Sequence, residues 1–200
     1  MPAAPTQKRC QPMNWTIPGT VLQCPRQDAA SIEERFSAMF LGGGIALSQV
    51  ASITGLSTHD IQNWVKRGFL TAPEKKRYSL RQLCRILNIN TLKTVLHMDQ
   101  ICSLLGYVNG HLDDESDDII NDAQLYFMFV RLAARAQELY EAEDRDTLLE
   151  AALENYQEPV LGAKQRVKEA LRVMLTAWLA ARMRQNAENM LKTLLKENES

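Results

Sequence analysis

The sequence predicts a mainly α-helical protein with a winged helix-turn-helix near its centre. Apolar residues recur at helical spacing through most of the chain, and only the predicted wing alternates between apolar and polar residues. Two short helical patterns separated by a glycine turn lie between residues 46 and 68. Residues 45–98 also hold eight Lys and Arg against two Asp and Glu, which gives this segment a net charge of +6.

The bulk composition is that of an ordinary globular protein. Of the 200 residues, 46% are hydrophobic and 24% are charged, which suits one compact domain or two small ones and excludes a disordered chain. The net charge is only −1, because residues 99–200 have a net charge of −8 that masks the basic segment. Such an asymmetry is typical of a protein in which one module contacts a polyanion and the other does not.

Neither the cysteines nor the apolar runs indicate a secreted or membrane protein. The four cysteines are scattered, without the close pairs of a zinc site, and we interpret them as free thiols in a reducing cytosol. The N-terminus lacks the apolar region of a secretory signal, and the most apolar stretch, Leu125–Ala133, is too short to span a membrane. We expect a cytoplasmic protein with no membrane partner.

The order of signals along the chain predicts three regions, 1–44, 45–110 and 111–200. Five of the seven prolines lie in the first 30 residues, which favours an extended arm pinned by Trp15. The capping-box pattern from Ser31 to Glu34 predicts a short helix that ends near Leu41. Three glycines then form a hinge before the second region.

The second region opens with the helix-turn-helix pattern. Ser48–Thr54 has the pattern of a short helix, and Gly55 stands where the chain must take a positive φ. Ser57 is the expected N-cap of a second helix, which continues to Arg67 and stops at Gly68.

A wing and further helices follow. Phe69-Leu70 and Arg77-Tyr78 are expected to pair as a hairpin around a basic turn, and the capping box Ser79–Gln82 begins a third helix. The other predicted elements are helices at Met98–Leu105 (ending at Gly106), Asp117–Glu141 (capped by Ser116), Thr147–Tyr156 and Ala163–Lys196, with an acidic loop at His111–Asp118.

The second short helix presents the residue types that contact DNA. Ile61, Trp64 and Val65 share one helical face and are expected to pack inward. The opposite face holds amides, which can bind adenine bidentately, and cations, which can bind phosphate or guanine. The candidate DNA-binding residues are Ser57, Thr58, His59, Gln62, Asn63, Lys66 and Arg67 on this helix, and Lys75, Lys76 and Arg77 on the wing.

A solvated helix surface would explain the same polar face, but the adjacent basic turn favours DNA. Its three cations, together with Arg81 and Arg85 on the following helix, could neutralise phosphates and release counterions. Two roles stay open for Asp60: it completes the helix cap, or it accepts a hydrogen bond from cytosine.

Residues 46–106 resemble the DNA-binding module of MerR-like regulators. The resemblance rests on the run SQVASITGLSTHDIQNWVKRGFL, a short helix, a turn and a recognition helix with a central aromatic, and on the wing-like run KKRYSLRQLCRI. Residues from about Trp15 to Leu139 also resemble an uncharacterised bacterial family of MerR-like proteins. Its members share a Trp-containing arm, an I-x-N-[YW]-V-K helix and a K-K-[KR]-Y-S wing.

The resemblance implies a winged helix, a homodimer and double-stranded DNA as the partner. It implies base recognition by Thr58–Lys66 and backbone clamping by Lys75–Tyr78, which adds Tyr78 to the candidates. Gln62 stands where the better-known regulators often carry Arg, so no base preference is implied. The sequence also lacks the paired C-terminal cysteines of the metal-sensing members.

The third region shows no catalytic or metal-ligand pattern, so we expect a non-enzymatic protein without a cofactor. His111 has no nucleophile or ligand partner in pattern, and the acidic loop lacks the central Gly of an EF-hand. The alternative for the long final helix is a bend near Asn186 that returns it to its own domain. The apolar stripe expected to bury against a second copy comprises Val167, Leu171, Met174, Trp178, Met190, Leu191 and Leu194.

The leading hypothesis is a dimeric, sequence-specific DNA-binding transcriptional regulator. Two copies of the Thr58–Arg67 helix would enter successive major grooves of a pseudo-palindromic operator. The alternative is a non-catalytic protein-interaction adaptor whose helix-turn-helix does not contact DNA. The basic excess of the middle segment favours DNA, and the sequence identifies no effector ligand.

Overall fold

A computed structural model describes residues 14–112, 114, 116–136 and 145–197, and within them the protein is mainly helical, as predicted. Cys10 and the predicted end of the Asp117–Glu141 helix lie outside the described residues. The strands are β1 (Asn14–Thr16), β2 (Gln23–Pro25), β3 (Ile45–Ala46) and β4 (Arg77–Tyr78). The helices are α1 (Ile32–Met39), α2 (Leu47–Thr54), α3 (Thr58–Lys66), α4 (Leu80–Leu92), α5 (Met98–Asn109), α6 (Asp122–Ala136), α7 (Arg145–Ala152) and α8 (Ala163–Glu197).

The segment predicted as an extended arm forms a hairpin where it is described. β1 and β2 pair antiparallel, and Trp15 lies opposite Cys24 with its ring buried. Gly19 has a φ of 73°, and a Cβ there would lie 2.4 Å from the carbonyl oxygen of Leu87. Only glycine permits this close approach to α4. The Tyr126 hydroxyl also donates a hydrogen bond to the Pro18 carbonyl at 2.8 Å, so the hairpin is part of the packed structure.

Helix α4 lies at the centre of the core. Leu83, Ile86 and Ile89 on this helix are fully buried, and its main neighbours are α6, α2 and α8. One hydrophobic cluster continues from Trp15 in the first predicted region to Trp178 in the third. The three predicted regions therefore share a single core.

Several helix ends differ from the sequence prediction. The predicted capping box at Ser31 is absent, because the Ser31 hydroxyl donates to the Asp28 carbonyl at the end of a 3₁₀ helix, Arg26–Ser31. α5 continues through Gly106 and ends at Gly110, which has a φ of 62°. α6 begins at Asp122 rather than Asp117, and its first turn bonds to the side chain of Asn121 instead of Ser116.

The final helix has a buried half and an exposed half. Val167, Leu171, Met174 and Trp178 are buried against the rest of the chain, so the prediction that they contact a second copy is wrong. These side chains fill the space beside α5, α6 and α7 instead. The remaining stripe residues are exposed: Met190 (68%), Leu191 (56%) and Leu194 (58%).

Candidate nucleic-acid interface

Helices α2 and α3 are joined by a short turn, as the sequence predicts. Gly55 ends α2 with a φ of 71°, a left-handed conformation that glycine adopts without steric cost. Val50 on α2 and Ile61 on α3 are fully buried, and Trp64 is nearly so. Packing of these three side chains fixes α3 against α2 and leaves the opposite face of α3 in solvent.

The start of α3 is closed by a reciprocal cap between Ser57 and Asp60. The backbone N–H of Asp60 donates to the Ser57 hydroxyl oxygen at 3.1 Å, and that hydroxyl donates to the Asp60 carboxylate at 2.7 Å. The hydrogen bond from Ser57 lowers the pKa of Asp60. Of the two roles left open for Asp60, the structure shows the cap.

The solvent face of α3 carries most of the candidate DNA-binding side chains. Thr58, His59, Gln62, Lys66 and Arg67 are exposed, and Asn63 is half-buried. The Asn63 amide lies 3.2 Å from Nδ1 of His59, one turn earlier, and the Arg67 guanidinium lies 4.7 Å from the centre of the Phe69 ring. The amides and cations of this face are therefore brought together on one surface.

The predicted pairing of the wing strands is wrong. β4 pairs antiparallel with β3, so that Tyr78 lies opposite Ile45 and Arg77 opposite Ala46. Phe69-Leu70 is not a strand, because the Phe69 N–H donates to the Trp64 carbonyl and closes the end of α3, while Leu70 is buried. The basic turn is thus anchored to the segment that follows the glycine hinge.

The basic turn itself is tight. The Arg77 N–H donates to the Glu74 carbonyl at 2.8 Å, and the two central residues, Lys75 and Lys76, have φ values of 48° and 64°. Positive φ at both central positions is the pattern of a type I′ turn, which favours Asn and Gly. Both lysines and Arg77 are exposed, so the turn presents three cations to solvent.

Tyr78 does not belong to this exposed surface. Its side chain is 2% exposed, and burial raises the pKa of its hydroxyl. Alternation along β4 turns Tyr78 into the core and Arg77 outward. The assignment of Tyr78 as a DNA contact is therefore corrected to a core role.

Arg81 and Arg85 do not extend the basic surface. Arg81 lies 2.7 Å from the Asp118 carboxylate and 3.9 Å from that of Asp122, and Arg85 lies 3.4 Å from Asp122. Arg85 also donates through Nε to the Phe69 carbonyl. The expectation that these two arginines neutralise phosphates is wrong, because Asp118 and Asp122 already neutralise them.

Two side chains on α4, Gln82 and Asn90, fix the segments on either side of α3 through hydrogen bonds. Gln82 completes the predicted capping box with Ser79, and its amide also donates to the carbonyls of Thr71 and Ala72. Asn90 donates to the carbonyls of Gly19 and Thr54, which fixes the end of α2. The capping-box pattern revealed Gln82, but no local spacing pointed to Asn90.

One further cation lies close to α3, and no sequence pattern predicted it. Lys93, at the end of α4, is exposed and its ammonium lies 5.8 Å from the centre of the Trp64 ring. Partial burial lowers the pKa of Lys93, although the nearby Asp60 carboxylate raises it. The position of Lys93 depends on the tertiary packing that brings the end of α4 close to Trp64, which sequence periodicity does not predict.

Charge pairing separates the cations of this part of the molecule into two kinds. Arg81 and Arg85 are paired with acids, as above. Among residues 14–112, 114, 116–136 and 145–197, no ion pair involves Lys66, Arg67, Lys75, Lys76 or Arg77. The exposed side of α3 and the Glu74–Arg77 turn therefore each carry cations without an acidic partner in the described part of the chain, and we call these two segments together the basic surface.

The described residues hold neither a metal-ligand cluster nor a membrane-spanning helix. They contain no group of three or more His, Cys, Asp or Glu side chains that could hold a metal ion. None of the described helices has the length and apolar character needed to cross a membrane.

Comparison with known proteins relates this surface to a family without an assigned function. Residues 45–129 match the model of a family described as a domain of unknown function, DUF1836. The chain is also 31% identical over 86 residues to the uncharacterised protein YkrK of Bacillus subtilis (strain 168). That alignment covers 41% of this chain and 37% of YkrK, so the chain spans well under half the length of this relative. No solved structure matches the chain.

Proposed function

We propose that the protein is a MerR-like winged helix-turn-helix DNA-binding protein, a cytoplasmic transcriptional regulator that acts as a homodimer. The observation that carries this proposal is the Glu74–Arg77 turn, where two lysines occupy positions of positive φ. These lysines follow in sequence a helix, α3, whose exposed cations have no acidic partner among the described residues.

The turn supports the proposal because lysine is an unfavourable residue type for its backbone conformation. A residue with a Cβ in the left-handed region costs roughly 1–2 kcal/mol, and Asn-Gly would form the same turn with less strain. Such strain is concentrated at functional sites. Lysines at the tip of a wing supply what Asn and Gly cannot, namely positive charge for backbone phosphates.

Helix α3 supplies the groups that distinguish base sequence. Its amides at Gln62 and Asn63 are the donors and acceptors that pair with adenine in the major groove, and Lys66 and Arg67 provide cations at the same end. The backbone N–H groups near Thr58 lie at the positive end of the helix dipole, which suits a phosphate contact.

The exposed half of α8 supports the homodimer. Met190, Leu191 and Leu194 recur at helical spacing and are all more than half exposed. A stripe of this kind on a projecting helix suits burial against the same stripe of a second copy. A two-fold dimer would place two α3 helices on a pseudo-palindromic site.

The test is a fluorescence anisotropy titration with DNA selected from a random pool, at two salt concentrations. We expect a sequence preference that falls when Gln62→Ala and Asn63→Ala are combined, and an affinity that falls with salt. Arg131→Gln is the control, because Arg131 is a half-buried cation on α6 that is paired with Glu33. Binding without either sequence preference or salt dependence would exclude the regulator.

A second candidate function is a protein-interaction adaptor, favoured by the apolar residues that the third region exposes. Leu161 is fully exposed between α7 and α8, in addition to the α8 stripe. Under this alternative, Lys76→Ala and Asn63→Ala leave the cellular function intact, whereas Leu191→Ser abolishes it. Under the DNA proposal, all three substitutions impair it.

A further inference from the structure

A cleft of about 700 Å³ lies beside the basic turn, and neither the sequence nor the family match assigns it a role. One wall is the Phe40–Gly44 turn, the opposite wall is the segment from Leu70 to Arg77, and the floor is the first half of α4. Its volume falls within the roughly 300–1,000 Å³ typical of small-molecule sites.

Defined hydrogen bonds fix the positions of the cleft walls. Arg77 donates to the Gly44 carbonyl at 3.0 Å, and Gln82 donates to the carbonyls of Thr71 and Ala72. Gly44 has a φ of 102°, and a Cβ there would lie 2.9 Å from the Tyr78 carbonyl oxygen. A Cβ at Gly43 would meet no atom of the described residues within 4 Å beyond its chain neighbours, so at Gly43 the wall is open backbone that a ligand can approach closely.

The lining combines an apolar part with an excess of positive charge. Phe40, Leu80 and Leu112, which are half-buried, contribute the apolar part. Four cations line the cleft against two acids, and the arginines at its base are already paired with Asp118 and Asp122. The remaining charges are Lys75 and Arg77 against Glu74, all exposed, which leaves an excess of one positive charge at the rim.

We propose that this cleft binds a small organic anion with an apolar body, such as an aromatic carboxylate or sulfonate. The anionic group contacts Lys75 and Arg77, and the apolar body packs on Phe40, Leu80 and Leu112. A cation or a neutral polar molecule would leave either the rim charge or the apolar lining without a partner.

Occupation of the cleft would regulate the basic surface, an inference that rests on the proposed function. Lys75 and Arg77 cannot bind the ligand anion and a DNA phosphate at full strength together. The ligand and DNA therefore weaken each other's binding by the same factor, as linkage requires. The organic anion is an antagonist of DNA binding.

The test uses two dyes of nearly the same shape. Anilinonaphthalene sulfonate carries the required anion, and phenylnaphthylamine is its neutral counterpart. We expect the sulfonate to bind the intact protein more tightly, and to shift the backbone amide NMR signals of Gly43, Gly44 and Ala72. Lys75→Asn should weaken the sulfonate roughly two- to fivefold while leaving the neutral dye unchanged, because Lys75 makes no hydrogen bond to the cleft walls among the described residues.

Three further variants separate the cleft from other apolar surfaces. Ala72→Trp fills the cleft and should weaken both dyes, whereas Lys192→Gln removes a distant exposed cation and should change neither. Leu191→Ser removes part of the α8 stripe and should also change neither. Equal binding of the two dyes, or loss of binding in Leu191→Ser but not in Ala72→Trp, would overturn the proposal.

A DNA competition completes the experiment. Saturating sulfonate should lower DNA affinity in the wild type, and phenylnaphthylamine should lower it less. If the protein binds DNA and the sulfonate does not compete, the antagonist role is wrong. If the protein binds no DNA while the dye measurements hold, the proposed function fails and the cleft assignment stands.

Discussion

Two groups of cations lie close together in the sequence and differ completely in the structure. Lys66, Arg67, Lys75 and Lys76 are exposed and make no ion pair among the described residues, whereas Arg85, with Arg81, is held by Asp118 and Asp122. All count equally in the +6 charge of residues 45–98. The charge available to a polyanion therefore depends on which cations are paired with acids in the folded chain. Asp118 and Asp122 pair with the cations of α4.

The largest expected effect is a loss of stability when Arg85 loses its acidic partner. Asp122→Asn should lower the free energy of unfolding by about 3–5 kcal/mol, because it leaves the buried Arg85 guanidinium without its counter-charge. Urea denaturation measures the loss. The double variant Arg85→Met with Asp122→Leu should recover most of it, since an apolar pair replaces the ion pair. A loss under about 0.5 kcal/mol in Asp122→Asn would contradict the assigned role.

The two halves of α8 give a second contrast of similar size. Leu171→Ala should cost about 2–5 kcal/mol, because Leu171 is fully buried and the substitution leaves a cavity. Leu191→Ala should change the intrinsic stability of one protomer by less than about 0.5 kcal/mol. The double variant Leu191→Glu, Leu194→Glu should instead convert the proposed dimer to a monomer, which the molecular mass from sedimentation measures. An unchanged mass would contradict the role of the exposed half in dimerisation.

The basic turn should gain stability when it loses its charge. Replacing Lys75 and Lys76 by Asn should raise the free energy of unfolding by about 1 kcal/mol, because Asn adopts positive φ more readily. Thermal unfolding measures the gain, and Lys66→Asn in α3 should show none. A turn that is destabilised by Asn would show that the lysines are not strained.

The smallest effect concerns the cap of α3. The Ser57 hydrogen bond lowers the pKa of Asp60, so the cap contributes stability above the usual range of an Asp and loses it as pH falls through the lowered value. Ser57→Ala should cost about 1 kcal/mol near neutral pH and reduce this acid-dependent loss. Stability measured across the acidic range distinguishes it from Ser31→Ala, which has no side-chain cap to lose.

The elements that could be predicted from sequence are those whose signals are local. Gly55, the Ser57 cap and the Ser79–Gln82 capping box each act within a few residues, and the structure confirms all three. The helical period also predicted the length of α8. Sequence alone could not show which half of that helix is covered.

The errors arise from contacts between distant segments. β3 pairs with β4 across about thirty residues, so no hairpin pattern beside Tyr78 could reveal its partner. Arg85 meets Asp122 from another helix, and residues 14–30 return to α4 through Gly19. Within residues 14–30, proline content correctly excluded a long helix but did not predict the β1–β2 hairpin.

The proposal that Lys75 and Lys76 bind DNA phosphates is tested most directly by the salt dependence of DNA affinity in the double variant Lys75→Asn, Lys76→Asn. Each phosphate contact contributes about 0.9 to the slope of log affinity against log salt concentration. The variant should lose close to two such contributions relative to the wild type, while Arg131→Gln should retain the wild-type slope. An unchanged slope in a folded Lys75→Asn, Lys76→Asn variant would contradict the proposal.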